Sequence, residues 1–105
     1  MIANTPEPPY YAVIFSTIRT SVDVGYLETA QRMEALAEQQ DGYLGIESVR
    51  EELGITVSYW KSLEAITNWK NHAEHTLARE KGRSHWYQKY KLRICKVERD
   101  YDFNK

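Results

Sequence analysis

Cysteine is almost missing from this chain: Cys95 stands alone, so no intrachain disulfide is available. It sits inside a strand-like alternation with no adjacent activating cluster, which predicts a small packed thiol rather than a reactive one. Proline is missing after position 9. The three prolines at positions 6, 8 and 9 disfavour helix and central strand, so residues 1–9 read as an extended arm ahead of a domain spanning 10–105. No apolar run approaches the roughly eighteen residues of a membrane span, and MIANTPEPPYY has neither the basic start nor the apolar stretch of a signal peptide. The expected location is the cytoplasm, with no membrane partner. An excess of either charge is missing too: 14 Lys and Arg against 15 Asp and Glu leave a formal net charge of −1. The two signs are interspersed, so there is no basic footprint for nucleic acid. Glycine-rich phosphate loops and a nucleophile elbow are also lacking. Nicotinamide, nucleotide-hydrolysing and α/β-hydrolase chemistries therefore have no support.

What is present is aromatic and branched. YYAVIFSTIR, from Tyr10 to Arg19, is apolar on both alternating faces, with Tyr11, Val13 and Phe15 on one and Ala12, Ile14 and Ile18 on the other. That predicts a strand covered on both sides. Asp23 is positioned to cap a helix running to about Gln40, in which Tyr26, Ala30, Met33 and Ala37 form one stripe and Gly42 supplies the stop. Two further strand-like runs start at Tyr43 and Ile55, separated by Leu53 and Gly54 as a tight hairpin turn. Ser62 is a candidate cap for a second helix carrying Leu63, Ala65, Ile66 and Trp69. Gly82 is expected to divide that helix from a short turn carrying His85, Trp86 and Tyr87, before a final alternating run, YKLRICKVERDY.

The predicted order β, α, β, β, α, β is the ferredoxin-like α+β arrangement, an antiparallel sheet with both helices on one face. One helical layer covers one side, yet the first strand is apolar on both, and Tyr59 and Trp60 point oppositely in the third. A second copy related by a twofold axis is the economical cover, and 105 residues are few enough to gain from it.

Residues 67–87, TNWKNHAEHTLAREKGRSHWY, hold two of the three tryptophans and all three histidines. His72 and His75 stand three apart, roughly on one helix face. A metal needs more ligands than two, and this spacing matches none of the catalytic zinc helices, so no metal is expected. Trp69 and Trp86 are suited to the aromatic wall of a pocket for a flat ligand, and equally to a core. Tyr59 has a polar tip that orients a phenol or carbonyl, or else seals a subunit seam. Arg79 offers a fork for an anion, and Asn68 or Asn71 an amide to steady one.

GYLG at Gly42–Gly45, ITVSYWKSLEAITNWKNHAEHTLA from Ile55 and GRSHWYQKYKLRICKVERDYDF from Gly82 together resemble the antibiotic biosynthesis monooxygenase (ABM) domain family, whose members are dimeric α+β barrels. The likeness runs from Tyr10 to Phe103. It implies a cofactor-independent monooxygenase acting on a small aromatic or polycyclic compound, as a homodimer. In such chemistry the substrate's own anion reduces dioxygen; the pocket removes a proton and holds the charge. His75 is the first expected base and His72 the second, with Trp69 as the stacking wall. The family also contains heme-degrading members, which use an asparagine in the first strand, a tryptophan on the second helix and a histidine about ten residues later. Trp69 matches; YYAVIFSTI has no asparagine, and Arg79 stands where the histidine would fall. Heme is therefore the alternative cofactor, and a non-catalytic dimer binding a small molecule is the third reading.

Overall fold

Six elements follow in the order β1 (Tyr10–Arg19), α1 (Tyr26–Glu38), β2 (Tyr43–Arg50), β3 (Gly54–Trp60), α2 (Leu63–Arg79) and β4 (Tyr87–Val97). The computed structural model describes the backbone of residues 1–79 and 85–105 and the side chains of residues 1–76 and 85–105. The strands form one antiparallel sheet in the order β2-β3-β1-β4. This is the ferredoxin-like βαββαβ topology that the sequence order predicts.

Register assigns every side chain to a face. Tyr11 pairs with Trp60, Val13 with Ser58, Phe15 with Thr56 and Thr17 with Gly54, and this row faces the helices. Val13 and Trp60 join Ala37 of α1 and Ala65 and Ile66 of α2 in a buried core. Tyr59, one residue from Trp60, points to the other face, as the alternation requires.

Three local details differ from expectation. The first helix begins at Tyr26 after Gly25, which takes a left-handed φ of 78° as N-cap with no side-chain cap bond. The Asp23 carboxylate instead accepts a 2.9 Å hydrogen bond from Arg19 Nη2, since a nearby guanidinium outcompetes a backbone amide for it. The hairpin turn is made by residues 51–53, and Gly54 is already the first residue of β3. Tyr87 opens β4 rather than belonging to a turn, while Gly82 lies outside the described residues. Ser62 does cap α2, its Oγ accepting the Ala65 N–H at 3.1 Å.

The face away from the helices is partly covered by the chain itself. The arm crosses β2 at Gly45, where a Cβ would stand 2.8 Å from that of Ala3. The Ala3 N–H donates to Glu47 Oε2 at 2.8 Å, and the Tyr59 hydroxyl donates to Glu47 Oε1 at 2.7 Å. Thr5 donates to the Tyr10 hydroxyl, which donates to Asp100 in the C-terminal tail. This cover ends before the far edge of the sheet, where Ile18 and Val49 remain 42% and 67% exposed. Cys95, opposite Ala12 on this face, is half-buried. Among the described residues no helix is long and apolar enough to cross a membrane.

Candidate functional site

A space between sheet and helices arises from a taper in side-chain size. On its helix-facing side β3 reads Trp60, Ser58, Thr56, Gly54, so the floor falls away from a full indole to no side chain at all. The helices answer with small groups, Thr29 and Ala30 from α1 and Ala73 from α2. The result is a cavity of about 520 Å³ between the two layers, within the range of small-molecule sites.

Its walls are aromatic. Trp60 is fully buried and stacks on Trp69, with ring centroids 5.9 Å apart and planes at 21°. Trp69 thereby shows its other surface to the cavity. At the opposite end Phe15 meets Tyr87 and Tyr90 at 5.7 and 5.5 Å, and Tyr26 meets Trp86 edge-on at 5.8 Å. Trp86 is held in turn by its indole N–H, which donates to the Val24 carbonyl at 2.9 Å. Arg19 lies 3.4 Å from the Tyr26 ring centroid in a cation–π contact.

The polar groups of this end include the phenols of Tyr26, Tyr87 and Tyr90, the Thr17 hydroxyl and the Arg50 guanidinium. Burial, followed by the charge of and the hydrogen bond with Tyr26, pushes the Tyr87 hydroxyl well above the usual phenol range; Arg50 and Arg19 act in the opposite sense. At neutral pH Tyr87 is therefore a phenol and a hydrogen-bond donor. Tyr59, on the other sheet face, is pushed up to about 12, by burial first and by its bond to Glu47 second. The same contact holds the Glu47 carboxyl below its ordinary value, with the Ala3 N–H adding to it.

The sequence-named residues fall into separate places. Trp69 and Trp86 line the cavity. Asn68, Asn71, His72 and His75 line a shallow groove of about 680 Å³ on the outer side of α2, shared with Gln39, Gln40 and Asp41. The two histidines do share a face, as their spacing requires, but it is not the face of Trp69. Tyr59 is across the sheet from both spaces, clasping the arm. The side chain of Arg79, like Gly82, lies outside the described residues. Tyr26, Tyr87, Tyr90 and Arg50 line the cavity without having been singled out from the sequence. Alternation alone puts Tyr87 and Tyr90, three residues apart, on opposite faces; the register shift between Ile18 and Arg19 is what sets Tyr87 beside Arg19 and Tyr90 beside Thr17, and nothing in the sequence marks it. Among the described residues no three His, Cys, Asp or Glu side chains converge as a metal site needs.

Comparison with known proteins agrees with the fold. The family model described as antibiotic biosynthesis monooxygenase matches residues 9–81. The uncharacterized protein YqjZ of Bacillus subtilis (strain 168) is 58% identical over 100 residues, covering 93% of this chain and 88% of YqjZ. Among solved structures, SnoaB, a cofactor-independent oxygenase from Streptomyces nogalater, superposes with a TM-score of 0.67 at 9% identity, covering 89% of this chain and 97% of SnoaB. A MhuD variant with two manganese protoporphyrin IX molecules bound per active site gives a TM-score of 0.63 at 24% identity, covering 89% of this chain and 99% of MhuD. At those identities the two structures share the fold.

Proposed function

We propose, because the chain belongs to the antibiotic biosynthesis monooxygenase family, that it is a cofactor-independent monooxygenase whose substrate is a small aromatic or polycyclic compound bound in the sheet–helix cavity. The observation that carries this reading is the cavity itself, about 520 Å³ and walled by Trp69, Trp86 and Phe15. Flat rings fit between such walls because stacking supplies area and orientation without a charge partner. The reaction in view converts a ring methylene and dioxygen into a carbonyl and water. The substrate loses a proton to solvent to give an enolate, the enolate passes an electron to dioxygen, and recombination forms a peroxide anion that takes a proton back and eliminates water. The protein's part is to favour the enolate, and in the hydrogen-bonded pair Tyr26–Tyr87 the hydroxyl proton not used within the pair is the donor its oxygen would meet. His75 and His72, in the outer groove, are too far around α2 to touch a ligand seated against Trp69.

Oxygen uptake with anthrone tests this assignment. Trp69→Ala is expected to lower kcat/KM about tenfold, the worth of one lost stacking surface, whereas His75→Ala is expected to stay within about twofold. A rate indifferent to Trp69 but lost with His75 would move the site to the outer groove.

Heme is the other group the family implies. The described cavity lining presents no imidazole and no thiolate to an iron, since His72 and His75 belong to the outer groove and His85 is exposed. These residues do not fit axial ligation.

The homodimer is part of the same proposal. The uncovered edge around Ile18 and Val49 is the apolar strip that a twofold partner would bury. Sedimentation at micromolar concentration is expected to give twice the 12.3 kDa chain mass, and a monomer there would remove the dimer from the reading.

A further inference from the structure

At the low end of the taper, three strands place one arrangement that the reading above does not use. Arg50 at the end of β2 pairs with Gly54 of β3, which pairs with Thr17 of β1. The Arg50 guanidinium lies directly over Gly54. A Cβ built on that glycine would stand 2.1 Å from one guanidinium nitrogen and 2.3 Å from its carbon. Arg50 Nη2 donates to Thr17 Oγ1, and Thr17 is only 3% exposed. The missing side chain at position 54 is therefore a shelf, and the buried threonine is a peg that holds the fork upon it.

An arginine carries five N–H donors. Thr17 takes one, and among the described residues no carboxylate pairs with Arg50. Lys70, also in the lining, has Glu74 3.9 Å away, and the N-terminus at Met1, which lines the cavity too, has Glu47 as its charged neighbour. Arg50 is exposed, at the open mouth of a cavity whose wall also carries Glu34, Glu47 and Glu74; a guanidinium held there by Thr17 with no carboxylate of its own can pair with a planar anion that exchanges for solvent. The neighbouring Tyr87 and Tyr90 on β4 supply ring surface rather than competing charge, since Tyr87 stays a neutral phenol.

We propose that Arg50, seated on Gly54 and tied to Thr17, is the anion receptor of the cavity, and that the ligand is an aromatic or polycyclic acid whose carboxylate pairs with it while its rings lie between Phe15 and Trp69. This rests on the cavity being the binding site. It adds that the substrate carries a carboxylate at the edge remote from Trp60.

The test uses two probes of nearly equal shape, 2-naphthoate and 2-naphthamide, with binding followed by quenching of tryptophan fluorescence. The protein is expected to bind the carboxylate about three- to fivefold more tightly than the amide, the upper worth of a solvent-exposed ion pair. In Arg50→Gln that ratio falls to about one while the amide's Kd changes by less than about twofold. Gly54→Ala should do the same with the arginine still present, because the new Cβ occupies the guanidinium's place and a flexible side-chain end moves aside. Lys70→Gln should leave the ratio intact. Equal binding of the two probes by the unmodified protein, or a ratio that survives both Arg50→Gln and Gly54→Ala in chains that keep their circular dichroism spectrum, overturns the receptor while leaving the cavity reading standing. Failure of both probes to bind at all overturns the two together.

Discussion

Trp60→Ala is expected to lower stability by about 3–5 kcal/mol, the cost of removing a large aromatic from a closed core. Trp60 is 0% exposed. It meets Tyr43 edge-on at 5.6 Å and Trp69 in a stack at 5.9 Å, so one truncation leaves two other rings without a neighbour. Its indole N–H also donates to Ser58 Oγ at 2.8 Å, and Ser58 is itself 7% exposed. The cost therefore has an apolar part and a polar part that can be separated. Trp60→Phe keeps much of the stack and loses the N–H. Adding Ser58→Ala to Trp60→Ala removes the stranded hydroxyl and should return about 1 kcal/mol. Against a typical domain stability of about 5–15 kcal/mol, the single alanine variant should melt on the order of 15–30 °C lower. A loss of less than about 1 kcal/mol would mean that the core does not depend on this ring. The functional consequence follows from the same stack: Trp69 is a cavity wall only as long as Trp60 backs it.

That dependence shows why the fold was more legible in the sequence than the site. Alternation fixes a residue's face without knowledge of any partner, so β1, β3 and β4 and the opposite directions of Tyr59 and Trp60 follow from period two alone. On α2 the period also contained the answer. Ile66, Trp69, Ala73 and Thr76 recur at three and four and form the inward stripe, whereas His75, six residues beyond Trp69, lands about 120° around the helix. The chemical appeal of a histidine near a tryptophan in sequence obscured that rotation. Arg50 and Gly54 were not legible at all. A glycine between Leu53 and a strand has the composition of a turn, and only the pairing with Thr17 shows that its empty position is occupied by another residue's guanidinium. Asp23 was misread for a related reason, because the bond from Arg19 competes with capping only once β1 has brought the two together.

Gly42→Ala is the second large effect, and its origin is backbone rather than core. Gly42 has a φ of +86°, which costs a residue with a Cβ about 1–2 kcal/mol. Its carbonyl accepts the Lys61 N–H at 2.8 Å, tying the loop after α1 to the start of α2. A Cβ there would stand 2.7 Å from that of Ala65, a buried core residue on α2, so helix and loop must part for it to fit. Overpacking of this kind adds about 1–3 kcal/mol, and the expected total is about 2–5 kcal/mol by chemical denaturation. Gly25 offers the control. Its φ is +78°, but its nearest neighbour is the Trp86 ring edge at 3.3 Å, which needs to give only a few tenths of an ångström, so Gly25→Ala should cost about 1–2 kcal/mol. Combining Gly42→Ala with Ala65→Gly relieves the clash and leaves the backbone strain, while a helix glycine adds about 0.5–1 kcal/mol. The double variant should therefore be less destabilised than the sum of the two singles, with a coupling of about 1 kcal/mol or more. Strict additivity would assign the whole effect to the left-handed backbone and none to the seam between α2 and the loop.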